Sequence, residues 1–298
     1  MPERLEEVIK RLKDEYKVPK NIHDENAIRF FDQVLGAEKS TLELLQKGFR
    51  LDRNSLPKHY REKNNRTARE DLDFCLKKTL EYKEKGSIEE VRQKPIFINP
   101  LSVAKKYVYE EKVYKKRLVL DLSRSLNKYQ TPRTYKPDNL DRLECLFSQN
   151  DYAVTLDLAS AYHHVKLSEN CKDFFGFTIF DKQQGKERYF RFQRLPFGLS
   201  TAGFILSKVT NPILRFCRKN SIRVGIYVDD IIILGQSFEE CKIHSEFVRT
   251  IFSLAGFTFS IEKATLSQRF QHRFHRVHLQ HPSAQWARVW TKPQNQLA

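Results

Sequence analysis

Two adjacent carboxylates, Asp229 and Asp230, stand at the only polar point of an otherwise apolar, β-branched run, Ile226-Tyr227-Val228-Asp229-Asp230-Ile231-Ile232-Ile233-Leu234. Such a run predicts a hairpin, two short strands joined by a two-residue turn at Asp229-Asp230. Packing two negative charges against a hydrophobic hairpin is costly unless a cation compensates them, and a divalent metal is the usual answer. A solvated Asp-Asp turn is the alternative. A third carboxylate, Asp157, ends the apolar run Ala153-Val154-Thr155-Leu156. If the two runs form adjacent central strands, Asp157 meets the other two acids; a simple strand-end cap is its other reading. These runs contain no His or Cys, so the expected metal is Mg²⁺, which takes oxygen ligands, rather than zinc.

The elements around these acids must position them. From Pro2 to about Lys94 apolar residues recur at three- and four-residue steps, as in Ala27-Phe30-Phe31-Val34-Leu35 and Leu72-Phe74-Leu76-Leu80, which predicts helices. The polar stretch 52–67, with Pro57, predicts a loop between them. From Pro95 the pattern turns to strands, with Ile96-Phe97-Ile98, then Leu118-Val119-Leu120, then the run ending at Asp157. A second hairpin is expected within 169–192, its strands Phe174 to Phe180 and Tyr189 to Phe192 flanking a turn with Gly185. Helices are expected over 201–219 and 238–254, the second stopping before Gly256. This order describes an α+β fold, an antiparallel sheet with helices on one face.

Lysine and arginine number 53 against 37 acids, giving a net charge of +16 and a pI near 9.6. That excess predicts a polyanionic partner, and nucleic acid leads. No apolar run has spanning length, no long basic amphipathic helix stands out, and Met1-Pro2-Glu3-Arg4 does not open a signal peptide, so no membrane partner is expected. The five cysteines, Cys75, Cys145, Cys171, Cys217 and Cys241, show no paired metal-ligand spacing, which predicts a reducing compartment, cytoplasm or nucleus. With 298 residues, 40% of them hydrophobic, the chain can bury a large core as one multi-lobed unit or as two domains.

Five segments, in order, resemble motifs of reverse transcriptases and, within these, of retroelement (retrotransposon and retrovirus-like) pol proteins. Lys115-Lys116-Arg117-Leu118-Val119-Leu120-Asp121-Leu122 is similar to the basic fingers strand, and Val154-Thr155-Leu156-Asp157-Leu158-Ala159-Ser160-Ala161-Tyr162 to the first catalytic motif. Leu195-Pro196-Phe197-Gly198-Leu199-Ser200-Thr201-Ala202 resembles the template- and nucleotide-contacting motif, and Tyr227-Val228-Asp229-Asp230 the second catalytic motif. Gly256-Phe257-Thr258-Phe259-Ser260-Ile261-Glu262-Lys263 is similar to a later glycine-to-lysine motif. The resemblance runs from about Arg61 to Lys263. One such match arises easily by chance; five in the right order are specific.

The resemblance implies an RNA-directed DNA polymerase with a right-hand architecture: palm, fingers, and a thumb that is truncated or atypical. It divides the chain into a helical region leading into the fingers (1–94), fingers (95–150), a palm with the catalytic carboxylates (151–263, with a fingers hairpin and helix inserted at about 169–215), and a tail (264–298). It assigns Asp157, Asp229 and Asp230 to two Mg²⁺ ions, with Mn²⁺ as a substitute. Two metals about 3.5–4 Å apart clamp the attacking and leaving oxygens of such a transfer. The implied partners are an RNA or DNA template with its primer, and deoxynucleoside triphosphates.

By the same resemblance Arg117 contacts the incoming triphosphate, for which a planar guanidinium is suited. Lys106 is its companion, with Lys105 or Lys112 as alternatives. Tyr162, five residues after Asp157, would clash with a ribose 2′-hydroxyl and so select deoxynucleotides; core packing is the plainer reading. Gly198 would let the backbone approach the nucleotide, and Phe197 stands where retroviral members carry glutamine. Leu195, Pro196 and Tyr227 fall to template and primer. Lys263 matches a proton donor to pyrophosphate, or is a surface lysine.

Beyond Lys263 the texture changes. No acid follows Glu262, and four of the nine histidines, His272, His275, His278 and His281, recur at every third position beside Trp286 and Trp290. The primer grip and helical thumb that the family places here are not recognisable. A metal site, an altered reading frame or an irregular tail would each account for the pattern. A catalytically inactive remnant, or a domesticated nucleic-acid-binding protein, is the rival to a working polymerase. An RNA-templated RNA polymerase is disfavoured by Tyr162 and by the Tyr-Val-Asp-Asp form.

Overall fold

A computed structural model of the chain describes residues 4–108, 113–131, 145–148, 151–227, 229–260 and 265–267. Its helices are α1 (Leu5–Glu15), α2 (Glu25–Gln33), α3 (Lys39–Lys47), α4 (Arg66–Arg69), α5 (Leu72–Glu84), α6 (Leu126–Tyr129), α7 (Glu169–Lys172), α8 (Ala202–Lys219) and α9 (Phe238–Leu254). Its strands are β1 (Tyr60–Arg61), β2 (Ile88–Val91), β3 (Phe97–Ile98), β4 (Leu101–Val108), β5 (Val113–Leu120), β6 (Tyr152–Asp157), β7 (Gly176–Asp181), β8 (Lys186–Phe192), β9 (Arg223–Tyr227), β10 (Asp230–Gly235) and β11 (Thr265–Ser267). They fall into two compact units, one from 1–38, 136–161 and 209–298, the other from 39–135 and 162–208. No described helix is long and apolar enough to cross a membrane.

The first unit is built on an antiparallel sheet in the order β11-β6-β10-β9. Ile231 to Leu234 are all buried because β10 lies between two strands and is covered, which is why its run is apolar without alternation. Helix α9 packs on β6 and β10, and α1 and α2 pack on α9; the two helices bury Val8, Ile9 and Leu12, and Ala27, Phe30 and Phe31. Ser237 caps α9 by accepting from the Glu240 amide at 3.1 Å. Gly256 ends it with φ +86°, and a Cβ there would lie 2.4 Å from the Asn21 carbonyl carbon, so only glycine fits.

One end of this sheet is closed by charge. Asp151, fully buried before β6, receives two 2.6 Å hydrogen bonds from the Arg223 guanidinium at the start of β9. The Ser148 amide, at 2.7 Å, and the side chain of Gln236 donate to the same carboxylate. The ends of β6, β9 and β10 are thereby tied together, and the pairing register puts Asp157, Tyr227 and Asp230 at the opposite end.

The second unit holds the antiparallel sheet β2-β8-β7, the two-stranded ribbon β4-β5 and the short parallel pair β1-β3. Three expectations change here. Strands form ahead of Pro95: a short one at Tyr60–Arg61 lies inside the stretch expected to be a loop, and another at Ile88–Val91 forms because its charges are matched across the sheet, with Arg191 bonding Glu89 at 2.8 Å and Arg188 bonding Glu90 at 2.7 Å. Residues 169–175 are helical, and the chain enters β7 only at Gly176. Buried Asn99 explains this, since its side-chain amide donates to the Phe174 and Gly176 carbonyls at 2.9 and 3.0 Å. On α5 the fully buried positions are Cys75 and Thr79, with Leu72, Leu76 and Leu80 half-buried beside them. The expected helices over 201–219 and 238–254, the strand ending at Asp157 and the Gly185 turn are all present.

Helix α8 contains Pro212, which has no N–H to offer the carbonyl four residues back. That carbonyl belongs to Lys208, and the buried Thr41 hydroxyl of α3 donates to it at 3.3 Å. The helix therefore continues through a proline.

Candidate active site

Asp157 closes β6 and Asp230 opens β10, and the two are direct partners in the antiparallel register. Asp229 lies in the two-residue link, positions 228 and 229, between Tyr227 and Asp230. The expected turn at Asp229-Asp230 is thus displaced by one residue: Asp230 is held in the sheet by β6 on one side and β9 on the other. One carboxylate oxygen from each of Asp157, Asp229 and Asp230 lies within 4.8 Å of the others. Asp157 is 8% exposed and the other two are half-buried.

The backbone around Asp157 is fixed from two sides. The Leu158 amide donates to the Asp229 carbonyl at 3.0 Å, while Ala159 and Ser260 amides donate to the Thr258 and Asp157 carbonyls at 2.9 and 2.8 Å. Leu158 also bridges Phe259. Ser160 then turns the chain with φ +52°, a left-handed conformation uncommon outside glycine. Sequence reading did not single out Ser160, and a serine between small residues carried no signal for it. The set of three carboxylates is all hard oxygen, which fits Mg²⁺ or Mn²⁺ and not a thiolate- or imidazole-seeking metal. Tyr227, opposite Asp230, has its phenol pushed above the ordinary tyrosine range by burial.

In the second unit Tyr162 lies in a single 3₁₀ turn, Ala161–His164, and its ring meets that of Phe197 edge-on at 5.1 Å. Leu195 is buried, with its amide donating to the Val165 carbonyl at 2.8 Å, whereas Phe197 is 36% exposed. Gly198 has φ +107°, and a Cβ there would sit 2.3 Å from the Leu120 carbonyl oxygen. Asn127 of α6 clamps this loop, donating to the Gly198 carbonyl and accepting from the Ser200 amide, both at 2.8 Å. Nothing in the sequence marked Asn127, since its partners are more than seventy residues away.

Behind Phe197 stands His163, with its ring 5.7 Å from Phe197, 5.2 Å from Tyr82 and 6.2 Å from Phe192. Its buried Nε2 has no hydrogen-bond partner among the described residues, and burial pushes its pKa down to about 4, with His164, Arg194 and Lys85 adding to the effect. Arg117 is exposed on β5 opposite Ala104. Position 106 pairs with Lys115 and so shares the Arg117 face, whereas Lys105 lies on the opposite one. Lys112, Lys263 and the four tail histidines lie outside the described residues.

The sequence profile of the family described as reverse transcriptase (RNA-dependent DNA polymerase) matches residues 103–287, more than half of the chain, and the chain belongs to that family. Its relatives are virus and transposon polyproteins. It is similar to a polyprotein of cassava vein mosaic virus, 32% identical over 157 residues that make up 53% of this chain and 22% of the relative. It is also similar to the retrovirus-related Pol polyprotein from transposon gypsy of Drosophila melanogaster, 30% identical over 152 residues, 50% of this chain and 13% of the relative. The counterpart from transposon opus of the same fly is 31% identical over 160 residues, 52% of this chain and 14% of the relative. The chain thus spans between 13% and 22% of these relatives. The family match begins later than Arg61 and continues past Lys263, so the relation reaches into the histidine-rich segment.

Proposed function

We propose that the chain is an RNA-directed DNA polymerase of the right-hand type, adding deoxynucleotides to a primer 3′ end on an RNA template. The observation that carries this reading is the register that sets Asp157 against Asp230 with Asp229 beside them, three carboxylate oxygens within 4.8 Å. So dense a set of like charges is suited to hold two Mg²⁺ ions. Bound there, the ions supply charge neutralisation for the attacking primer oxygen and the leaving pyrophosphate.

The remaining residues bind and orient. Arg117 offers a planar donor set for triphosphate oxygens, with Lys106 as its companion. Tyr162, its ring buttressed by Phe197, stands as the group that excludes a ribose 2′-hydroxyl. Gly198 presents bare backbone to a nucleotide, and half-buried Tyr227 faces template or primer, whereas the expected contacts from Leu195 and Pro196 are not available because both side chains are buried and support the loop from within. Lys263 is assigned to protonation of the leaving pyrophosphate.

The test is primer extension on a homopolymer RNA template. The expected result is Mg²⁺-dependent extension that Asp229→Asn abolishes while primer–template affinity stays nearly constant. Extension by the Asn variant at the wild-type rate would remove the assignment.

A further inference from the structure

The ribbon β4-β5 has two chemically different faces. In an antiparallel pair directly opposed residues share a face and successive rungs alternate. Arg117, Lys115 and position 106 fall on one face. Tyr107 opposite Tyr114, and Lys105 opposite Lys116, fall on the other, followed inward by buried Val103 and Leu118. The proposed triphosphate contact needs only the arginine face.

On the other face the two tyrosine rings meet at 4.9 Å with a 60° tilt, yet Tyr114 is 64% exposed and Tyr107 36%. An aromatic pair left so open contributes little to the core it stands on. Its neighbours restrict what could cover it. The adjacent rung is two lysines, of which Lys105 is exposed and Lys116 is held by Asp71 at 2.6 Å over the ring of Phe74. A rung of lysines beside the rings is a poor match for an apolar protein surface. Duplex nucleic acid keeps its base faces stacked inside. An unpaired strand instead brings both a π-face for the rings and a phosphate for the ammonium group.

We infer that the Tyr107–Tyr114 face, with Lys105, is a stacking platform for unpaired nucleobases of a single strand. That this strand is template not yet copied rests on the proposed polymerase reading; the stacking itself does not.

The test is fluorescence anisotropy with the full chain, comparing a primer–template that carries a single-stranded 5′ template overhang with a blunt duplex of the same paired length. Stacking on one aromatic side chain contributes roughly tenfold or more in affinity. The double variant Tyr107→Ala/Tyr114→Ala is therefore expected to lose about tenfold on the overhanging substrate and little on the blunt one, while Tyr107→Phe/Tyr114→Phe retains wild-type affinity. Equal losses on both substrates, or no loss on either, would overturn the inference. So would an alanine variant that keeps its overhang preference but loses binding to anionic vesicles, which would assign the face to a membrane surface. A wild-type chain that prefers the overhang but never extends a primer would remove the polymerase reading and leave the platform standing.

Discussion

Asp230 lies directly across the antiparallel register from Asp157, so two carboxylates face each other at the one end of the sheet that the Asp151–Arg223 pair does not close. Two like charges about 4–5 Å apart repel by about 3–4 kcal/mol at an effective dielectric near 20. A native fold that holds three such groups together is stabilised when a cation joins them.

Divalent metal is therefore expected to raise the melting temperature of the chain, with Mg²⁺ and Mn²⁺ both effective. Asp157→Asn should raise stability in chelator and shrink the metal-induced shift. A thermal melt with and without metal checks both effects without any catalytic readout. An unchanged metal shift in the Asn variant would show that the ions bind elsewhere.

The opposite end of the sheet yields a stability prediction. Arg223→Met strands the fully buried Asp151 carboxylate with only the Ser148 amide and Gln236, a loss expected to cost about 3–5 kcal/mol. The double variant Asp151→Leu/Arg223→Met, which removes both charges, should recover much of that loss. Urea unfolding of the two variants measures the difference, and similar losses in both would mean that the charges are not the cause.

His163 predicts a pH dependence. Its folded pKa, about 4, lies below the ordinary histidine value of 6.5, so the unfolded chain binds the extra proton between those values. Its contribution to stability is thus complete above pH 6.5 and declines as the pH falls toward 4. His163→Phe keeps a ring against Tyr82, Phe192 and Phe197 and removes the unpaired Nε2. The variant should lose less stability than the wild type between pH 6.5 and pH 4, by an amount on the order of 2–3 kcal/mol. Parallel pH curves for the two proteins would contradict this.

Thr41 predicts a coupling along α8. Thr41→Val should cost about 1 kcal/mol, because the Lys208 carbonyl loses the donor that Pro212 cannot replace. In a Pro212→Ala background the alanine N–H can take over, so the same substitution should cost much less. Equal costs in both backgrounds would show that the hydroxyl is not substituting for the missing amide.

The loop at Gly198 predicts a positional effect. Asn127→Ala removes two 2.8 Å hydrogen bonds from the Gly198–Ser200 backbone and should cost about 1–2 kcal/mol of stability. In the polymerase reading it should also raise KM for the deoxynucleotide more than it lowers kcat. Single-nucleotide incorporation kinetics separates the two parameters, and a pure kcat loss would count against a positioning role for the loop.

The strands ending at Asp157 and flanking Asp229 were legible because apolar, β-branched runs bounded by acids carry their own local signal, as did Gly256 at the end of α9. The family resemblance likewise rested on short contiguous motifs, so it needed no knowledge of contacts. Tertiary structure alone decided the rest. Whether the hairpin turned at 229–230 or at 228–229 depended on Asp230 being paired on both sides, once by a strand distant in sequence. The strand at Ile88–Val91 required arginines from β8 to neutralise its glutamates, and the helical 169–175 segment required Asn99 to donate to the Phe174 carbonyl at its end. Asn127, Thr41 and His163 gained their roles from partners or neighbours contributed by other elements. Local propensity and alternation are properties of a few consecutive residues. Register, burial on both faces and the satisfaction of a buried carbonyl depend on a partner whose identity no local window contains.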